Sequence, residues 1–129
     1  MSTLVPGDIR KEWDSIRPHI EDILAEGGYE LRPEDVYAAC STGTAFLYLG
    51  EPGFVIVQPK TYTFHGDPEL VIWFAYSRDH GAIEEFQSAI DALAVGNKFR
   101  RLIFWSNRPG FERVPGWRKI SSVYERVLP

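Results

Sequence analysis

The stretch LVIWFAYSRDHGAIEEF, residues 70–86, changes character halfway along, and that change decides the fold. Leu70 to Tyr76 is an unbroken apolar and aromatic run, the pattern of a strand covered on both faces. After Ser77-Arg78-Asp79-His80-Gly81 the period becomes helical. Ile83, Phe86, Ile90, Leu93 and Ala94 fall on one stripe, and Gly96-Asn97 supplies a stop. A further strand over Arg101–Trp105 completes a strand–helix–strand unit, which demands parallel neighbours. The turn between them, with its single glycine, aims backbone N–H groups and the positive helix end outward, a setting suited to phosphate or pyrophosphate.

Upstream, Ile9, Trp13, Ile16, Ile20, Ile23 and Leu24 recur at steps of three and four, predicting a helix from Asp8 to Glu26. Asp8 can cap it, Gly27-Gly28 can end it, and Pro18 inside predicts a kink or two consecutive helices. Pro33 opens a second, shorter helix, with Glu34 and Asp35 facing its positive end. Ala45–Leu49 and Phe54–Gln58, separated by Gly50-Glu51-Pro52-Gly53, read as a hairpin. Downstream, a Pro/Gly-rich loop spans Asn107 to Gly116, and the alternation of Val123 and Val127 with Tyr124 and Arg126 predicts a last strand over Ser121–Leu128. The class is α/β (α+β): a mixed, mostly antiparallel sheet with flanking helices, and residues 1–129 read as a single domain.

Composition narrows the function classes. With 44% hydrophobic and 25% charged residues, the chain is neither a disordered tail nor a fibre. Its net charge of −4 argues against nucleic acid as the main partner. Charge is uneven, however: residues 97–129 carry eight bases against Glu112 and Glu125, so an anion site in this third is one reading and mixed surface charge the other. Those bases are interleaved with Phe99, Phe104, Trp105 and Phe111, which leaves a weaker nucleic-acid reading standing. Cys40 is the single cysteine, so no internal disulfide or cysteine cluster forms. No leader-like start and no apolar run of membrane-spanning length is present, and the expectation is a soluble cytoplasmic protein.

Most catalytic motifs fail on spacing. His19, His65 and His80 lack metal-ligand spacing, Ser41 and Ser77 sit in no Gly-x-Ser-x-Gly elbow, and no Gly-x-x-x-x-Gly-Lys-Ser/Thr loop exists. Cys40 reads as a small core residue.

The order of elements resembles the GNAT superfamily of N-acetyltransferases. The residues that carry the resemblance are Val71–Tyr76 as the fourth strand, Arg78-x-x-Gly81 as the pyrophosphate loop, Ile83–Ala94 as the following helix and Leu102–Asn107 as the fifth strand. Arg108-Pro109-Gly110-Phe111 is similar to a loop of the compact GNAT-like proteins of tailed bacteriophages and prophages. The resemblance implies that the fourth and fifth strands splay apart around acetyl-CoA. Its pantetheine would run along Trp73, Phe74, Ala75 and Tyr76, with its pyrophosphate on Arg78, Asp79, His80, Gly81, Ala82 and Ile83 and a further contact from Asn107. It implies transfer of an acetyl group to an amine acceptor, or, in the alternative, a catalytically inactive module that binds virion or host proteins; a homodimer is open under both.

The chain departs from the family pattern in three places. Ile83 stands where a small residue is usual and is expected to crowd the pyrophosphate. Phe111 stands where a tyrosine often protonates the leaving thiolate. The helix between the fifth and sixth strands shrinks to a loop. Two residues offer substitutes: Glu69 as base or water-holding carboxylate, and Tyr124 as a source of a phenol proton, with Tyr76 a second phenol. The plain readings beside them are a solvated strand end for Glu69, wet core rings for the tyrosines and an idle loop residue for His80.

Overall fold

The computed structural model describes residues 3–27, 31–61, 68–79, 81–105, 111–120 and 124–129. Along the chain run β1 (Val5–Pro6), α1 (Ile9–Gly27), α2 (Pro33–Thr42), β2 (Phe46–Gly50), β3 (Gly53–Thr61), β4 (Pro68–Ser77), α3 (Ala82–Gly96) and β5 (Arg101–Ile103), then a one-turn 3₁₀ helix at Phe111–Arg113. Among the described residues five strands form one sheet in the order β1-β2-β3-β4-β5. All neighbours are antiparallel except β4 and β5, which are parallel. Among the described residues no helix is long and apolar enough to cross a membrane.

Two cores sandwich the sheet. On one face the α1 stripe (Ile9, Ile16, Ile20, Leu24) and Val36 of α2 pack with Leu47, Phe54, Ile56 and Phe74. On the other, Ile83, Phe86, Ile90 and Ala94 of α3 pack with Val55, Val57, Leu70 and Ile72. Arg17 of α1 bonds both Glu21 and Glu34, each at 2.7 Å, which ties α1 to the start of α2. Asp35 accepts from the Arg32 amide at 2.9 Å, and Gly43 closes α2 in the left-handed region with φ 84°.

Of the two outcomes expected at Pro18, two consecutive helices do not form: the proline lies inside α1, and the buried stripe on either side of it holds both halves to the same sheet face. Two further expectations are corrected. The predicted strand Ser121–Leu128 does not form over its described part: residues 124–129 carry no strand. Alternation alone supplies no ladder partner, and a lone strand is not stable. The fifth strand stops at Ile103 rather than Trp105, since Phe104 turns to meet Phe111 and Trp117 edge-on at 4.9 and 4.8 Å.

Candidate functional site

The site begins where β4 and β5 part. Their parallel ladder joins Glu69 to Arg101, Leu70 to Leu102 and Val71 to Ile103, and there β5 ends. From Ile72 to Ser77, β4 keeps β3 on one side and has no strand partner on the other among the described residues. Among the described residues an unpaired β4 edge therefore runs from Ile72 to the turn before α3.

A β-bulge sits at the point of divergence. Ile56 pairs with Phe74 and Val57 with Ile72, so Trp73 is an extra residue on β4. In consequence Trp73 and Phe74 both join the α1/α2 core, with rings 5.2 Å apart, whereas Ile72 and Ala75 belong to the α3 core. Sequence reasoning missed this bulge, because an all-apolar run hides a slip in alternation. Farther along β4, the Tyr76 ring stacks on His19 of α1 at 3.8 Å and lies against Phe54.

The turn is anchored from the β2–β3 hairpin. The Arg78 amide donates to the Pro52 carbonyl at 2.9 Å and its guanidinium to the Glu51 carbonyl at 3.0 Å; Asp79 lies 3.7 Å from Arg78 Nε. The Asp79 amide donates to Ser77 Oγ at 3.3 Å, so it is engaged rather than free as the turn pattern predicts. Beyond it, Gly81 precedes α3 and accepts from the Glu85 amide at 2.9 Å. The first-turn amides of Ala82, Ile83 and Glu84 have no intrahelical acceptor and, among the described residues, no side-chain partner. A helix end of this kind favours an anion over a cation. The Glu84 carboxylate folds beside it: a Cβ on Gly81 would meet Oε2 at 2.8 Å.

Ile83 does not crowd this end. Its side chain is buried in the α3 core with Phe86 and Ile90, which corrects the expectation drawn from its place in the turn. The helical step of three and seven residues puts Ile83 on the inward stripe while its amide stays at the helix tip. Phe111 likewise serves the core through Phe104, and Trp117 Nε1 donates to Gln87 Oε1 of α3 at 2.8 Å.

Glu69 corrects its plain reading. It is not a solvated strand end: it is 8% exposed, the one buried charged residue among those described. Its Oε2 lies 3.8 Å from Arg101 Nη1, an ion-pair distance too long for a hydrogen bond, and has no hydrogen-bond partner among the described residues. Register explains the burial, because Glu69 is flanked by Lys60 on β3 and Arg101 on β5. Sequence reasoning singled out neither flanking residue. Burial pushes the Cys40 thiol up from 9.0 to about 11, away from reactivity.

Of the residues singled out in the sequence, the structure brings Glu69, Trp73, Phe74, Ala75, Tyr76, Arg78, Asp79, Gly81, Ala82 and Ile83 onto one strand–turn–helix path. Tyr124 is not part of it: it is 91% exposed and lies on no strand. His80 and Asn107 lie outside the described residues.

The sequence matches no protein-family model and no curated protein. Solved structures do match. A Pyrococcus furiosus protein assigned as an acetyl transferase superposes with a TM-score of 0.70 at 10% identity, over 99% of this chain and all of the other (100%). A Clostridium acetobutylicum protein assigned as an acetyltransferase and solved with acetyl-CoA gives 0.69 at 12% identity, over 98% and 96% of the two chains. The ribosomal-protein-alanine N-acetyltransferase of Brucella melitensis biovar Abortus gives 0.66 at 15% identity, over 98% and 99%. At such identities the likeness is one of architecture, and the architecture of this chain is the GNAT acetyltransferase fold.

Proposed function

We propose that this protein is an N-acetyltransferase that moves an acetyl group from acetyl-CoA to an amine. The observation that carries this reading is the parting of β4 and β5 beyond Val71 and Ile103, on an edge that leads directly to the open tip of α3. Likeness to acetyltransferases over nearly the whole chain supports it.

The co-substrate supplies a thioester, an acyl group activated toward amine nucleophiles. The β4 edge from Trp73 to Tyr76 offers backbone groups to its amide-bearing arm, as a neighbouring strand would. The amides of Ala82, Ile83 and Glu84 would hold the pyrophosphate and Arg78 adds a cation at the turn; His80 within the turn and Asn107 after β5 are the further contacts of this reading. Glu69 is the base. A carboxylate oxygen that is buried and lacks a hydrogen bond is an acceptor waiting for a donor, and the acceptor's ammonium proton is one, taken directly or through a water.

Calorimetric titration with acetyl-CoA tests the binding half: heat and a thermal shift at millimolar ligand are expected, and neither would leave only a non-catalytic fold. Steady-state turnover with simple amines tests the chemistry. Glu69→Gln is expected to retain binding and lose on the order of 100-fold or more in kcat, the usual contribution of a general base. Undiminished turnover would remove Glu69 from the mechanism.

A further inference from the structure

Lys60 is a residue of the site that no step above uses. It stands directly opposite Glu69 in the β3–β4 ladder, and Glu69 in turn stands opposite Arg101. Directly paired residues project to the same sheet face, about 5 Å apart at Cβ. Lys60, Glu69 and Arg101 thus form one row on the face opposite Leu70, which belongs to the α3 core. Within that row Arg101 takes the ion-pair position beside the carboxylate, whereas Lys60 makes no ion pair among the described residues. Its Nζ lies instead 5.5 Å from the ring centre of Trp105, two residues past the end of β5. This cation–π contact carries the amine toward the side where β4 and β5 separate. Trp105 is 52% exposed, so the amine sits at an open mouth.

The next row, Gln58, Val71 and Ile103, is the last before the strands part, roughly 7 Å along the sheet from the Lys60 row. A lysine stem of four carbons spans that order of distance. A primary amine, a neighbouring carboxylate with one oxygen free of hydrogen bonds and the apex of the cleft are therefore within one side chain's reach of each other.

We propose that Lys60 is an acceptor of the protein's own acetyl transfer, a self-acetylation site. The inference rests on the acetyltransferase reading above. The Lys60 ammonium first gives one proton to solvent at the open mouth; the neutral amine then attacks the thioester carbonyl, a C–N bond forms as the C–S bond breaks, and Glu69 takes the second proton from nitrogen. That proton then passes to the departing thiolate, so the products are Nε-acetyl-Lys60 and free CoA. Acetylation removes the charge on Lys60 and with it the contact to Trp105, which uncovers the ring face at the mouth of the cleft.

The chain has four lysines, and Lys11, Lys98 and Lys119 serve as internal controls for uncatalysed labelling. The purified protein is incubated with acetyl-CoA and followed by intact mass and peptide mapping, with calorimetry on the same sample. The expected result is one acetyl group, on Lys60, gained roughly tenfold or more faster than on any control lysine, at a rate constant independent of protein concentration. Lys60→Arg should abolish it without lowering Tm, and Glu69→Gln should slow it on the order of 100-fold. Heat of acetyl-CoA binding with no preferential label on Lys60, or a label that Glu69→Gln leaves untouched, overturns self-acetylation and spares the acetyltransferase reading. Absence of binding heat overturns both.

Discussion

Gly53→Ala probes the far end of the β4 edge. Gly53 pairs with Ser77, the last residue of β4, at the place where the hairpin and the turn meet. A Cβ built on Gly53 would lie 1.8 Å from the Tyr76 carbonyl oxygen, 2.7 Å from its carbon and 3.0 Å from Ser77 Cα. The obstacle is backbone, which cannot swing aside as a side chain would. Reaching even the 3.0 Å limit of real Cβ contacts requires β3 and β4 to separate by roughly 1.2 Å, the difference of the two distances. The neighbouring bond from the Arg78 amide to the Pro52 carbonyl, 2.9 Å long, is then stretched as well. Overpacking strain of about 1–3 kcal/mol and one or two weakened backbone bonds at about 1 kcal/mol each give a loss of about 2–5 kcal/mol. For a chain of this size that lowers Tm by roughly 6–15 °C. Acetyl-CoA affinity should fall about tenfold or more, because the same shift moves the residues that lead into the Arg78–Gly81 turn. Thermal unfolding followed by fluorescence, with parallel calorimetry, reads both effects. Gly96→Ala is the control: nothing lies within 4 Å of its Cβ, so it should be neutral or slightly stabilising. A Gly53→Ala protein that melts within about 2 °C of the parent would show that the strands are not in this close approach.

Other consequences are smaller in scale. Glu84→Gln removes the carboxylate beside the tip of α3, so acetyl-CoA should bind about 3–10-fold tighter at low salt and less so at high salt; unchanged calorimetric affinity would place the pyrophosphate elsewhere. Trp117→Phe loses the indole bond to Gln87, at a cost of about 1 kcal/mol and a few degrees of Tm, unless the C-terminal segment fails to close over α3. The Cys40 thiol, held up to about 11, should react with iodoacetamide at pH 8 on the order of 100-fold more slowly than in unfolded chain. Because its folded pKa lies above the unfolded value of 9.0, the protonated thiol is the form the fold prefers. Stability is untouched below about pH 9 and declines between there and about pH 11, a fall that Cys40→Ala should lessen in a pH series of denaturant melts.

The amino-acid order by itself determined the elements whose signal is local and repeated. The stripes of α1 and α3, the proline-led α2, the hairpin across Gly50–Gly53 and the covered run of β4 each contain their own periodicity or punctuation. From these follow the mixed sheet and the strand–turn–helix path. Tertiary structure decided everything that depends on which backbone lies alongside which. Val5–Pro6 becomes a strand because Leu49 and Tyr48 are there to pair with it, while Tyr124–Leu128 alternates convincingly and stays unpaired. The extra residue at Trp73 is visible only against the register of β3. The burial of Glu69, and the row it makes with Lys60 and Arg101, joins positions far apart in the chain. No local pattern records such a meeting, since it is fixed by the ladders and by the helices packed on either face.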